Sequence, residues 1–163
     1  MRQQVETARR GRQGTDLEPV LAALLNGAGQ VASYVGMPGE PFVTPRPGWL
    51  LPVLLEDDDL DWAVHDGTLS PGRRGVLQPT GPRLGVDAVR GCDVVLVPAL
   101  AVDRQGYRLG KGGGSFDRAL ARATGLTVAL LHDDELVDDV PHEPHDVRVA
   151  AVATSGFGLV RLA

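Results

Sequence analysis

The sequence predicts an α/β fold, a single domain with a mainly parallel central sheet and flanking helices in a Rossmann-like layering. Three observations carry this. Nearly unbroken apolar runs at residues 94–97 and 126–131 read as strands buried on both faces, the pattern of parallel sheets. Between them lie a glycine-rich loop and an amphipathic stretch, the strand, loop, helix, strand order of a crossover unit. The 21 glycines and 12 prolines among 163 residues cluster between apolar runs, so they punctuate the structure without dissolving it.

Taken in order, residues 1–14 are polar and end in the Gly11 to Gly14 stretch, after which Thr15 or Asp16 can cap a helix over residues 17–25. Asn26-Gly27 closes it. Residues 31–35 read as a strand ended by Gly36, Pro38 and Gly39. The next strand, residues 50–55, follows Pro41, Pro45 and Pro47, which forbid a regular crossover helix. Residues 56–59 form a turn into a second strand, residues 60–65, giving a hairpin, and residues 70–82 read as loop. A short helical turn at 87–90 leads into the strongest strand, residues 93–98, expected at the centre of the sheet. A turn at 103–106, the glycine loop at 110–114, a helix over 116–123 and strands at 126–131 and 149–153 complete the chain. The organisation expected is an N-terminal helical segment, residues 1–29, and an α/β body, residues 30–163, without internal repeats.

A net charge of −5 argues against nucleic acid or an anionic membrane as a general partner, because the long-range field has the wrong sign. The longest nearly apolar run, residues 94–102, contains Pro98 and falls far short of the roughly 20 residues a bilayer requires. With no clean signal-peptide pattern and a single cysteine, Cys92, a reduced cytoplasmic setting is expected. Cys92 itself reads as a small buried apolar side chain. Lys111 is the only lysine, against fifteen arginines.

The most informative segment is Arg108-Leu109-Gly110-Lys111-Gly112-Gly113-Gly114-Ser115-Phe116-Asp117-Arg118. Consecutive glycine amides can converge on an anion at a helix start, so phosphate is the natural ligand, with Lys111 and Arg108 adding full charges. It is neither a Walker A loop nor G-x-G-x-x-G. A flexible surface loop is the plain alternative, but the position just past a buried strand is where α/β sheets bind ligands. In Pro141-His142-Glu143-Pro144-His145-Asp146 the histidines lie among prolines, which removes a helical metal pair. Asp146 alone can serve magnesium, or the segment is a solvated turn. Asp57, Asp59 and Asp61 copy the first ligands of an EF-hand, but Trp62 and Thr68 stand where glycine and glutamate belong, so a charged hairpin turn is expected. Glu40 is a lone carboxylate at a strand end, either a ligand anchor or a solvated loop acid.

The segments Val97-Pro98-Ala99-Leu100-Ala101-Val102-Asp103, then Gly106-Tyr107 followed by the glycine segment, then Glu143-Pro144-His145-Asp146 resemble the 5-formyltetrahydrofolate cyclo-ligase family. The stretch from Tyr34 to Glu40 and Gly75-Val76-Leu77-Gln78-Pro79 fit the same order, so the resemblance runs over residues 30–161. It implies an α/β fold and an ATP- and magnesium-dependent conversion of 5-formyltetrahydrofolate to 5,10-methenyltetrahydrofolate. By the same resemblance, Arg108, Leu109, Gly110, Lys111, Gly112, Gly113, Gly114, Ser115 and Phe116 hold ATP, with Lys111 and Arg108 catalytic. Val35 and Glu40, together with Lys111 to Ser115, contact the folate, and Asp117 with Asp146 serves magnesium. Departures from the family pattern are Ser115-Phe116 in place of two tyrosines, the lack of a lysine before Lys111, no helix between Glu40 and Leu50, and Gln78 in place of glutamate. They imply turnover weaker than that of a full-length member, or, alternatively, a paralogue that binds nucleotide or folate with little turnover.

Overall fold

The computed structural model describes residues 1–162. Its first half runs α1 (Arg2–Arg9), β1 (Thr15–Asp16), α2 (Glu18–Gly27), β2 (Val31–Ala32), β3 (Pro41–Phe42), β4 (Leu50–Leu54), β5 (Leu60–Val64), β6 (Leu69–Pro71) and β7 (Leu77–Pro79). The second half runs β8 (Val94–Pro98), β9 (Ala101–Asp103), β10 (Arg108–Leu109), α3 (Ser115–Arg122), β11 (Leu126–Leu130), β12 (Leu136–Val137), β13 (Ala151–Thr154) and β14 (Gly158–Arg161).

Among the described residues the main sheet has seven strands in the order β14-β13-β11-β8-β2-β4-β5. Its four inner pairings are parallel, and antiparallel strands close both edges, so the sheet is mixed and mostly parallel. The Val-Val-Leu-Val run lies at the centre, where its alternation serves two cores. Val95 and Val97 pack with Ala119 and Leu120 of α3 and with Trp62, while Val94 and Leu96 pack with Leu17, Leu21 and Leu25 at α2 and with Trp49. Cys92 is buried in the first of these layers, as its isolation in the sequence suggests.

No helix bridges the parallel strands β2 and β4. The proline-rich crossover instead pairs its β3 with β1 and lays Val43 and Trp49 onto the α2 layer. The β4–β5 hairpin forms as expected, with Asp57 Oδ1 accepting the Asp59 N–H at 3.0 Å in its turn. Asp59 then takes two hydrogen bonds from Arg122, at 2.6 and 2.7 Å, which tie this hairpin to the end of α3.

Four local expectations are corrected. Residues 70–82 are not all loop, because β6 and β7 form an antiparallel hairpin whose prolines sit at strand ends, where an N–H is dispensable. The strand at 31–35 shortens to Val31–Ala32, after which the chain turns toward the cleft. Thr15 and Asp16 pair as β1 instead of capping; Leu17 is the N-cap, and Asp16 Oδ1 accepts the Glu18 N–H at 2.9 Å. The C-terminal strand lies at Ala151–Thr154 and is followed by an unexpected edge strand, β14. No described helix is long and apolar enough to cross a membrane.

Candidate active site

The carboxyl ends of β8 and β4 open into a cleft of about 390 Å³. Every site residue expected from the sequence lines it: Val35, Glu40, Arg108, Leu109, Gly110, Lys111, Gly112, Gly113, Gly114, Ser115, Phe116, Asp117 and Asp146. The arrangement follows from topology. A parallel strand delivers its following loop to one end of the sheet, and the glycine loop rises there before α3 begins.

Arg108 is the most enclosed cation of the cleft. Its Nη1 donates to the Pro98 carbonyl at 2.8 Å and its Nη2 to Asp117 Oδ1 at 3.2 Å. Burial pulls its pKa below the usual arginine range, against the opposing charges of Asp117 and Asp146. Its Nε–H is buried with no acceptor among the described residues. A buried N–H left without a partner is costly, and an anionic ligand oxygen would supply the acceptor.

Gly112 and Gly114 hold φ of +108° and +76°, conformations that a side chain would strain. At both positions a Cβ would meet no protein atom within 4 Å, so the loop is an open cradle and not a packed turn. Gly114 is the N-cap of α3 and uses no side-chain cap, which leaves the first amides of the helix for a ligand. Half-exposed Asp117 and partly exposed Asp146 add two hard carboxylates to the same cleft. Oxygen donors of this kind suit magnesium, which commonly takes only one or two protein ligands and leaves the rest to water and phosphate.

The opposite wall is apolar, formed by Val35, Met37, Pro52, Leu54, Val76 and Leu77. Tyr34 and Phe116 close its floor edge to face, with ring centroids 6.2 Å apart. The Tyr34 hydroxyl donates to the Pro41 carbonyl, and burial, reinforced by the Glu40 charge, pushes its pKa well above 10, so it stays neutral.

Three features were not legible as site components. Arg2, from α1, lines the cleft and donates from Nε to the Gly110 carbonyl at 2.7 Å. Arg74 reaches the cleft from the β6–β7 turn with φ +57° and pairs with Asp58 at 2.9 Å. Arg9 lies behind the wall. The polar N-terminal residues and the Gly/Pro stretch carried no periodicity that would have flagged them. His142 does not pair with His145. Its ring stacks on Tyr107 with centroids 3.5 Å apart, and it approaches Asp103 and Asp139, but Asp103 is spent on the N–H groups of Gln105, Tyr107 and Val140.

Comparison with known proteins gives this arrangement a lineage. A model of the 5-formyltetrahydrofolate cyclo-ligase family matches residues 1–155. A 5-formyltetrahydrofolate cyclo-ligase of Mycolicibacterium smegmatis is 45% identical over 121 residues, 69% of this chain and 62% of the relative. Its Escherichia coli namesake is 40% identical over 65 residues, 38% of this chain and 36% of the relative. The aligned stretch thus spans less than two thirds of the curated relatives. The solved 5,10-methenyltetrahydrofolate synthetase of Aquifex aeolicus superposes with a TM-score of 0.76 at 25% identity, covering 99% of this chain and 90% of that one. The synthetase of Mycoplasma pneumoniae, at 17% identity and a TM-score of 0.66, shares the fold. With the glycine loop, both acids and nearly the whole chain inside one family's pattern, the protein belongs to the 5-formyltetrahydrofolate cyclo-ligase family.

Proposed function

We propose that this protein converts 5-formyltetrahydrofolate to 5,10-methenyltetrahydrofolate at the expense of ATP, releasing ADP and phosphate. In that reaction the γ-phosphoryl group activates the N5-formyl oxygen, N10 closes the ring on the formyl carbon, and the oxygen departs with phosphate. Such chemistry asks the protein for positioning and charge neutralisation more than for a nucleophile. The observation that carries the reading is the meeting, in one cleft, of an open glycine cradle, an unsatisfied buried arginine N–H, two hard carboxylates and an apolar wall.

In this reading the amides of residues 112–115, Lys111 and Arg108 hold the phosphates. Asp117 and Asp146 hold Mg²⁺, which when bound neutralises phosphate charge. Arg2 stands over Gly110 and supplies a cation from α1 where the family pattern has an N-terminal lysine. Phe116 keeps an aromatic ring against Tyr34, so one of the two expected aromatic contacts survives as packing. Val35 and Glu40 face the folate. Mixing the purified protein with 5-formyltetrahydrofolate, ATP and Mg²⁺ should raise methenyltetrahydrofolate absorbance, and omission of any one component should abolish the rise. A folded protein that binds MgATP yet yields no methenyl product would overturn the assignment.

A further inference from the structure

Glu40 is a buried acid in the cleft wall, and its two oxygens are used differently. Oε1 accepts the Met37 N–H at 2.7 Å, which fixes the carboxylate within its own turn. Oε2 lies 3.7 Å from Arg9 Nη1 and 3.6 Å from Lys111 Nζ, so one oxygen faces two cations.

Those cations differ in freedom. Arg9 is 7% exposed and anchored: its Nε and Nη2 meet the two oxygens of Glu135 at 2.8 and 2.7 Å, and Nη2 also reaches the Ala99 carbonyl at 2.7 Å. Burial works against its charge, but the hydrogen bond and field of Glu135, with Glu40 behind them, prevail and raise its pKa. Lys111 is 55% exposed, sits in a loop of glycines and can swing on its flexible stem. A carboxylate oxygen shared by one fixed and one movable cation is a mooring for the movable one.

We propose that Arg9 and Glu40 form a positioning pair for Lys111, in which Arg9 fixes Glu40, and Glu40 competes with nucleotide phosphate for the Lys111 ammonium. The proposal rests on reading residues 108–117 as the phosphate loop. A triphosphate carries several charges, whereas Glu40 is already partly neutralised by Arg9, so phosphate wins the contest but against a finite opposing pull. When Lys111 turns to phosphate, Glu40 Oε2 keeps Arg9 and regains acceptor capacity on the folate-facing wall. Nucleotide binding thereby readies the other side of the cleft. Arg9 does not line the cleft and acts through Glu40, which makes α1 part of the working site.

The test is calorimetric titration of MgATP into the full chain. Glu40→Gln keeps the shape and removes the competing charge, so it should tighten MgATP binding about two- to fivefold, the scale of a half-exposed ion pair. In a Lys111→Ala background the same substitution should leave affinity unchanged, which separates competition for Lys111 from a general gain of positive potential. Arg9→Lys, which retains charge near Glu135 but shortens the reach to Glu40, should weaken MgATP by a similar factor, and Glu40→Gln should cancel that weakening. A merely structural Arg9 would not be rescued in this way. If Arg9→Lys fails to fold, the Glu40 and Lys111 cycle decides alone. Unchanged or weaker MgATP binding by Glu40→Gln, or tightening that persists without Lys111, overturns the proposal and leaves the phosphate loop standing. Equal MgATP affinity for wild type and Lys111→Ala overturns both.

Discussion

Replacing Gly114 by alanine separates the conformational demand of the glycine loop from its demand for space. Gly114 sits at φ +76° and ψ 6°, in the left-handed region, immediately before α3. A methyl group there costs about 1–2 kcal/mol of backbone strain, partly offset by the lower entropy of the unfolded alanine chain. No protein atom lies within 4 Å of the added Cβ, so no packing penalty is superimposed. For a domain of this size the expected loss is about 2–4 °C in Tm per kcal/mol, readable by thermal unfolding. The ligand is a different matter, because the new methyl group enters the cradle itself. MgATP affinity measured by calorimetry should fall by about tenfold or more, roughly the worth of one charge-assisted hydrogen bond. Gly67→Ala is the control, since it sits at φ +96° with equally open space and does not line the cleft. It should lose comparable stability and keep its affinity for MgATP. A Gly114→Ala protein that melts as expected but binds MgATP like wild type would refute the cradle.

Asp117→Asn and Asp146→Asn should each remove most magnesium-dependent turnover at limiting magnesium while leaving circular dichroism unchanged, because asparagine keeps the shape and loses the charge that a hard dication needs. The Arg122 hydrogen bonds hold the Asp59 carboxyl below the usual carboxylate range, so the pair's contribution is complete above the unfolded value near 4. It fades as pH falls through the lower folded value. Asp59→Asn should therefore cost about 1–2 kcal/mol at pH 7, by denaturant unfolding, with the deficit shrinking in acid. Burial pushes the Cys92 thiol up to about 11, so thiol reagents at pH 7.5 should label it only as the chain unfolds.

The parts of this fold legible in the sequence are those whose local pattern agrees with their environment. Residues 94–97 are apolar without interruption because both faces of β8 are covered, and the same run places the glycine loop at the carboxyl end of the sheet, beside the cleft. The β6–β7 hairpin was illegible because Pro71 and Pro79 suggest loop, although at strand ends they cost no ladder bond. β14 was hidden for another reason. It is a half-buried edge strand whose pairing with β13 is set by tertiary contact, not by alternation in residues 158–161. Within the site, the glycine loop, Asp146 and Glu40 were accessible to chemical reasoning, whereas Asp117 and Val35 were reached only through the family resemblance. Arg2 and Arg9 were not, since their partners Gly110 and Glu135 lie 108 and 126 residues away and no local signal encodes such distances.

The placement of the two tryptophans decides which optical signals can report on this protein. Trp62, on β5, is fully enclosed in the layer that holds α3, and Trp49, at the end of the crossover, packs into the opposite layer; neither lines the cleft. Indole emission is accordingly a gauge of the two cores and will register their exposure on unfolding. The aromatic rings that line the cleft are Tyr34 and Phe116, whose emission is overshadowed by indole. A tryptophan introduced at Phe116 would change that division, converting a wall of the cleft into a reporter of its own occupancy.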